Sequence, residues 1–319
     1  MTMRIVCMAG LALLLSATAS AEVRWAIVLS GASGGPKYAE QMKEWRATIQ
    51  GALVERYGFT ADKVRVFVDE TVKTGETGSA ENVRRVLGQI RKEMAREDLL
   101  LVVLLGHGTY DGEVAKFNLV GPDFTAADWA GMLKGLPGQV AVVNTTAASF
   151  PFLESLSGPN RVVITATDSP AQKYATVFPD YFAKAMAEAS SDIDKNGRTS
   201  LFEVLQATSA AVKQHYEQRG QLATERAVFD DNGDGVGREA EAPGPDGGVA
   251  RLLYLDSELP AAANNPELAG LLQRRRELEI AAETLKQKKG TMAQPTWEAE
   301  YEKLMIELAR VSREIRSRS

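Results

Sequence analysis

Hydrophobic positions along the chain change period several times, and each change marks an element. Residues 25–30 (WAIVLS) form a short apolar run that closes in a glycine-rich turn at 31–35. Met42, Trp45, Ile49 and Leu53 then recur at intervals of three and four, the spacing of one helix face, and Gly58 suits the helix stop. Residues 64–68 (VRVFV) predict a second strand, and Val83, Leu87, Ile90 and Met94 a second amphipathic helix. The run 99–105 (LLLVVLL) is apolar at every position. A strand packed on one face must alternate with polar residues, whereas one covered on both faces need not, so this run predicts a central parallel strand. Residues 140–143 and 161–165 predict further central strands, and 251–255 the last one. Strands and helices in alternation argue for an α/β protein: a mostly parallel sheet between two helical layers, its ligand crevice at the carboxyl ends of the strands.

Two regions break this rhythm. From Pro266 onward the chain is charged, helical in pattern and almost without glycine. Leu268, Leu271, Arg275, Leu278, Ala282 and Leu285 follow alternating steps of three and four. After a break at 290–295, Trp297, Tyr301, Leu304, Leu308, Val311 and Ile315 repeat them. Two such helices joined by a short turn predict an antiparallel helical hairpin with a coiled-coil-like seam, which either caps the α/β part or serves as a partner-binding arm. At the other end, Arg4, the short apolar run 5–15 and the small residues Ala19, Ser20 and Ala21 predict a secretory signal peptide over 1–21, cleaved near Ala21. The apolar run is too short to span a bilayer. The expected organisation is therefore 1–21 signal peptide, 22–257 α/β domain and 258–319 helical hairpin, with the protein exported to the periplasm or the medium.

Export changes what the composition means. Cys7, the single cysteine, would leave with the signal, so the exported chain would have neither thiol nor disulfide. Loss of Arg4 would make the net charge one unit more negative than −5. No sustained basic stripe occurs outside the C-terminal helices, so nucleic acid is not an expected partner.

Candidate chemistry concentrates at three places. The turn at 31–35 is not a phosphate-binding P-loop, because Lys37 sits between Pro36 and Tyr38 rather than between Gly and Ser or Thr. His107 ends the most hydrophobic strand, in LLGHGTYDG, where an α/β sheet presents catalytic groups; Gly106 and Gly108 flank it. The other histidine, His215, lies among Lys213, Gln214 and Glu217 and is expected on a solvated helix face. The opening WAIVLSGASGG, the run LLLVVLLGHG and the following VAVVNTTAASF together resemble the legumain-like branch of the clan CD cysteine peptidases, the group that includes the caspases. The resemblance covers roughly residues 23–257. It implies a caspase-like three-layer α/β/α sandwich, with a His-Gly pair ending one strand and an acidic-x-Cys-x-Ser-Gly segment carrying the nucleophile at the end of the next.

This chain departs from that pattern at the nucleophile. If Ser149 matches the family's serine, the cysteine position is Ala147; a slip of one residue puts Thr146 there instead. Phe150 replaces the glycine, and Thr145 or Asn144 the acidic residue. A thiolate is a strong nucleophile near neutral pH, while a hydroxyl needs a well-placed base. The expectation is a pseudoenzyme, with His107 vestigial, that engages a protein or peptide through the former cleft, the hairpin or both. Two alternatives stay open: a hydrolase in which Thr146 or Ser149 attacks with His107 as base, and a purely structural envelope protein whose cleft is filled, with Phe150 and Phe152 placed to fill it.

The third place is calcium chemistry. Residues 192–203 (DIDKNGRTSLFE) fit the twelve-residue EF-hand loop: Asp192, Asp194 and Asn196 at positions one, three and five, Gly197 at six, the Arg198 carbonyl at seven, Ser200 at nine and Glu203 at twelve. Flanking helices are expected over 178–189 and 201–216. A weaker copy begins at Phe229, with Asp230, Asn232, Asp234 and Gly235 at one, three, five and six and Glu241 at twelve. Gly237, Pro243, Gly244 and Pro245 make a helix after that copy unfavourable.

Overall fold

The computed structural model describes residues 22–69, 76–172, 174–256 and 265–318. The expected signal, with Cys7, and the expected boundary at 257–258 lie outside the described residues. The strands are β1 (Arg24–Ser30), β2 (Val64–Val68), β3 (Glu76–Thr77), β4 (Leu99–Leu105), β5 (Gly108–Tyr110), β6 (Ala115–Phe117), β7 (Phe124–Thr125), β8 (Gln139–Asn144), β9 (Arg161–Thr165) and β10 (Val228–Asp230). Seven of them form one sheet in the order β10-β9-β8-β4-β1-β2-β3, parallel throughout except for β10, which runs antiparallel to β9.

The unbroken apolar run of β4 is explained by its place between β1 and β8, with every residue buried. Leu101, Val103 and Leu105 face a core built with helices α1 (Pro36–Gly51), α5 (Phe178–Ala187) and α6 (Leu201–Gln218). Leu100, Val102 and Leu104 face a second core built with α2 (Ala80–Glu93), α3 (Ala126–Leu133) and α4 (Phe150–Leu156). Each such side chain contributes about 1.5–3 kcal/mol by leaving water, which makes this strand the backbone of both layers. The fold is thus the three-layer α/β/α sandwich that the sequence implies. Helix α1 winds into one π turn (Ala52–Arg56) and stops near Gly58, whose φ of 67° a side chain would resist.

Two features differ from expectation. Residues 251–255 are a turn, not the last strand. Leu253 and Leu255 are buried, but their backbone pairs with the segment entering α6, through Leu201 N–H to Leu253 O and Leu255 N–H to Thr199 O. The sheet edge comes instead from the three-residue β10. A small antiparallel sheet, β5-β6-β7, follows His107 and was not foreseen.

The C-terminal pair, α7 (Pro266–Gln287) and α8 (Gln294–Arg316), forms the expected hairpin. Asn265 caps α7 by accepting from Leu268 N–H at 3.1 Å. Leu268, Leu278, Val311 and Ile315 make its core, the Trp297 indole donates to Leu285 O at 2.7 Å, and Arg274 pairs with Glu307 across the seam. Among the described residues no helix is long and apolar enough to cross a membrane.

Candidate functional site

Close packing dictates the glycines around His107. A Cβ on Gly108 would lie 2.7 Å from Thr146 Oγ1 and 3.0 Å from Lys116 O, so no side chain fits there; Gly106 takes a φ of 150° against the backbone of Gly31. The imidazole between them is half-buried. Its Nε2 lies 3.0 Å from Ser33 O, and the Tyr38 ring meets it edge-on at 4.6 Å. A carbonyl only accepts, so Nε2 carries the proton and Nδ1 is left as the acceptor. The glycine-rich turn after β1 therefore sets the tautomer of the histidine after β4.

β8 lies beside β4, with Asn144 level with Leu104. The segment that follows is thus next to His107, the juxtaposition that the peptidase resemblance implies. Its hydroxyls are committed or shut away. Asn144, Thr145, Thr146 and Ser149 are each 1% exposed or less. Thr145 Oγ1 donates to Leu104 O at 2.8 Å. Ser149 Oγ lies 3.0 Å from Thr167 Oγ1 and accepts from Thr167 N–H at 3.2 Å. Thr146 Oγ1 has no hydrogen-bond partner among the described residues and packs beneath Gly108. Neither Thr146 nor Ser149 is hydrogen-bonded to the imidazole. Ala147, half-buried, is the residue of this segment that lines the cavity beside His107.

That cavity measures 460 Å³. Tyr38, Met42 and Trp45 of α1, Asp180 of α5 and His215 of α6 line it, with the His107 and Ala147 turns as its floor. Phe150 and Phe152 do not fill it: Phe152 is fully buried in the core under α3 and α4, and Phe150 packs against the same cluster. His215 is not the solvated residue its polar neighbours suggest. It is half-buried, its Nδ1 is 2.8 Å from the Tyr181 hydroxyl, and burial pushes its pKa below the ordinary histidine value. Its signal was present in the sequence, since His215 continues the buried stripe Val204, Thr208, Val212 at helical spacing.

The loop at 192–203 joins α5 to α6. Asp192 Oδ1 and Oδ2 accept from Asn196 and Gly197 N–H, each at 3.0 Å, and Gly197 adopts a φ of 87°. Ser200 and Glu203 form a capping box at the start of α6, while the other Glu203 oxygen accepts from Ile193 and Asp194 N–H at 3.0 and 3.2 Å. Carboxylate oxygens of Asp192, Asp194 and Glu203 lie within 4.8 Å of one another. Burial pushes the pKa of Asp194 and of Glu203 up, and Asp192 adds to the rise at Asp194. The Arg198 side chain turns outward to Asp256 at 3.0 Å and stacks on Tyr254. The donors that remain are all oxygen, the set that suits a hard divalent cation.

The loop that begins at Asp230 folds the same way and ends differently. Asp230 accepts from Gly233 and Gly235 N–H at 2.8 and 2.9 Å. Glu241, expected at position twelve, is instead exposed and faces Lys213 at 3.7 Å. Asp246 takes the third place beside Asp230 and Asp234. Arg238 enters this group itself, bonding Asp234 at 2.8 Å and the fully buried Asp246 carboxylate. Its guanidinium holds Asp234 down to a pKa of about 2.

No protein family and no curated protein matches the chain. Many solved structures share part of its shape, two of them as follows. A protein from Geobacter sulfurreducens, a structural genomics target, is 11% identical, with a TM-score of 0.42 over 68% of this chain and 97% of the other. A secreted cysteine protease from Bacteroides thetaiotaomicron is 8% identical, with a TM-score of 0.37 over 66% of this chain and 67% of the other. Likenesses this slight carry no argument about what the chain does.

Proposed function

We propose that this protein is an exported, catalytically silent counterpart of the legumain- and caspase-type peptidases, which holds a peptide in the cleft beside His107 and binds one calcium ion in the loop at 192–203. The observation that carries the reading is the methyl group of Ala147 at the cavity floor, where the resemblance calls for a thiol. A methyl has no lone pair with which to attack. The neighbouring hydroxyls offer no substitute, because Ser149 is bound to Thr167 and Thr146 is sealed under Gly108. Binding remains available: the cavity is open, walled by aromatic and apolar side chains and edged by polar ones. An open cavity favours a binding module over a filled scaffold.

Calcium is supported by the twelve-residue ligand spacing together with the three clustered carboxylates. Here Asp192, Asp194, Asn196, Ser200 and Glu203 would hold the ion with their side chains and Arg198 with its carbonyl, and the ion would supply positive charge that ties α5 to α6.

Purified protein incubated with fluorogenic peptides carrying Asn, Asp, Arg or Lys at the scissile position should give no turnover above the blank. Turnover that His107→Ala abolishes overturns the silent reading. Isothermal titration with Ca²⁺ should show one site, and the absence of both heat and thermal shift removes the calcium claim. A reporter fused behind residues 1–21 should be processed and exported; a reporter kept whole in the cytoplasm removes the export claim.

A further inference from the structure

The chain has two histidines, and both line the same cavity, one from the turn after β4 and the other from α6. The rest of the lining makes this a cluster with a sign. Lys37, in the first turn of α1, is without an ion pair among the described residues. Asp180, the one carboxylate in the lining, is already bonded by Lys184 Nζ at 2.7 Å. α1 also begins without an acidic residue in its first turn and without a side-chain cap, so its terminal N–H groups add positive potential on the same side. In the tautomer where the Tyr181 hydroxyl donates to His215 Nδ1, at 2.8 Å, Nε2–H of His215 is left as a donor. Met42 and Trp45 line the same cavity and favour an apolar neighbour.

We propose that the cleft recognises the free terminal carboxylate of a peptide whose last residue is apolar, with Lys37 and His215 at the carboxylate, the His107 ring beside it and Trp45 against the side chain. The proposal rests on the reading that the cleft holds a peptide. It also gives that reading a chemistry: beside Ala147, where a peptide bond would otherwise be cut, the cleft keeps a chain end.

Three probes test it on the full protein: acetyl-Ala-Phe as free acid, its C-terminal amide, and acetyl-Asp-Phe-amide. With two imidazoles in the chain, the ¹⁵N ring resonances assign directly through His107→Gln and His215→Gln. The free acid should shift both sets of ring signals, and Lys37→Ala, at an exposed position that leaves folding intact, should weaken it roughly tenfold, as for one hydrogen bond to a charged group. The amide should be indifferent to that substitution and bind more weakly. Equal affinity for the acid and either amide overturns the proposal while leaving a peptide cleft. Failure of all three probes to move either imidazole overturns the cleft reading itself.

Discussion

The two acidic loops share a sequence pattern and a backbone, and they differ in where the positive charge comes from. Both wrap an initial aspartate in the N–H groups of the residues that follow, and both bring three carboxylates within 4.8 Å. At the second, Arg238 reaches in from the loop itself. At the first, the loop's arginine, Arg198, stands at position seven rather than nine and pairs with Asp256 and Tyr254. An EF-hand-like spelling therefore specifies a way of folding a loop around a charge, and a guanidinium can be that charge. On the proposed reading, the loop at 192–203 takes its charge from a calcium ion.

The largest test of this contrast is Arg238→Met. Removing one partner of a largely buried ion pair leaves Asp246 uncompensated, and denaturant unfolding should show a loss of about 3 kcal/mol. In the same variant a second calcium site should open, restoring part of the loss; a variant of unchanged stability that still binds one ion would erase the distinction between the loops. Next comes Glu203→Gln, which should lower calcium affinity by about a hundredfold in calorimetry, since it removes a charged ligand as well as two backbone contacts.

Acid should then act with opposite sign on Asp194 and Glu203 of the first loop and on Asp234 of the second. Asp194 and Glu203 have pKa values raised above 3.8 and 4.5 by burial, so the ion-free first loop is favoured below those values and loses that contribution as pH rises through the folded ones. Asp234 is depressed to about 2, so its contribution is present above 3.8 and vanishes as pH falls through 2. Amide exchange at Ile193 and at Val236, whose N–H groups donate to Glu203 and to Asp234, should move in opposite directions across the acid range once corrected for intrinsic rates. The smallest effect is Ser200→Ala, which removes half of the capping box at the start of α6 and should cost about 1 kcal/mol in thermal unfolding.

How much of this was legible depended on whether burial and conformation travel together. In β4 they do, because a strand covered on both faces has no polar side to show. In 251–255 they part: Leu253 and Leu255 are as buried as any strand residue, yet the chain there turns back on the entry to α6. Apolar content reported the burial and said nothing of the turn. β10 and the strands of the small sheet, at two or three residues each, are too short to carry a period at all. The site shows the same division. Local spelling singled out His107, Ala147 and the first loop's clustered carboxylates, while Asp246 was set by the fold. His215 was hidden by its polar neighbours, and Asp246 lies beyond motif spacing because the glycines and prolines at 243–247 fold the chain back onto Asp230.

Helices α5 and α6 run from the loop at 192–203 to the walls of the His107 cavity, carrying Asp180 and His215 at their far ends. From Glu203 to His215 this is about 18 Å at 1.5 Å per residue. One pair of rods thus has a handle at each end. Whatever factor an ion at one end contributes to affinity at the other, thermodynamic reciprocity returns the same factor in the opposite direction.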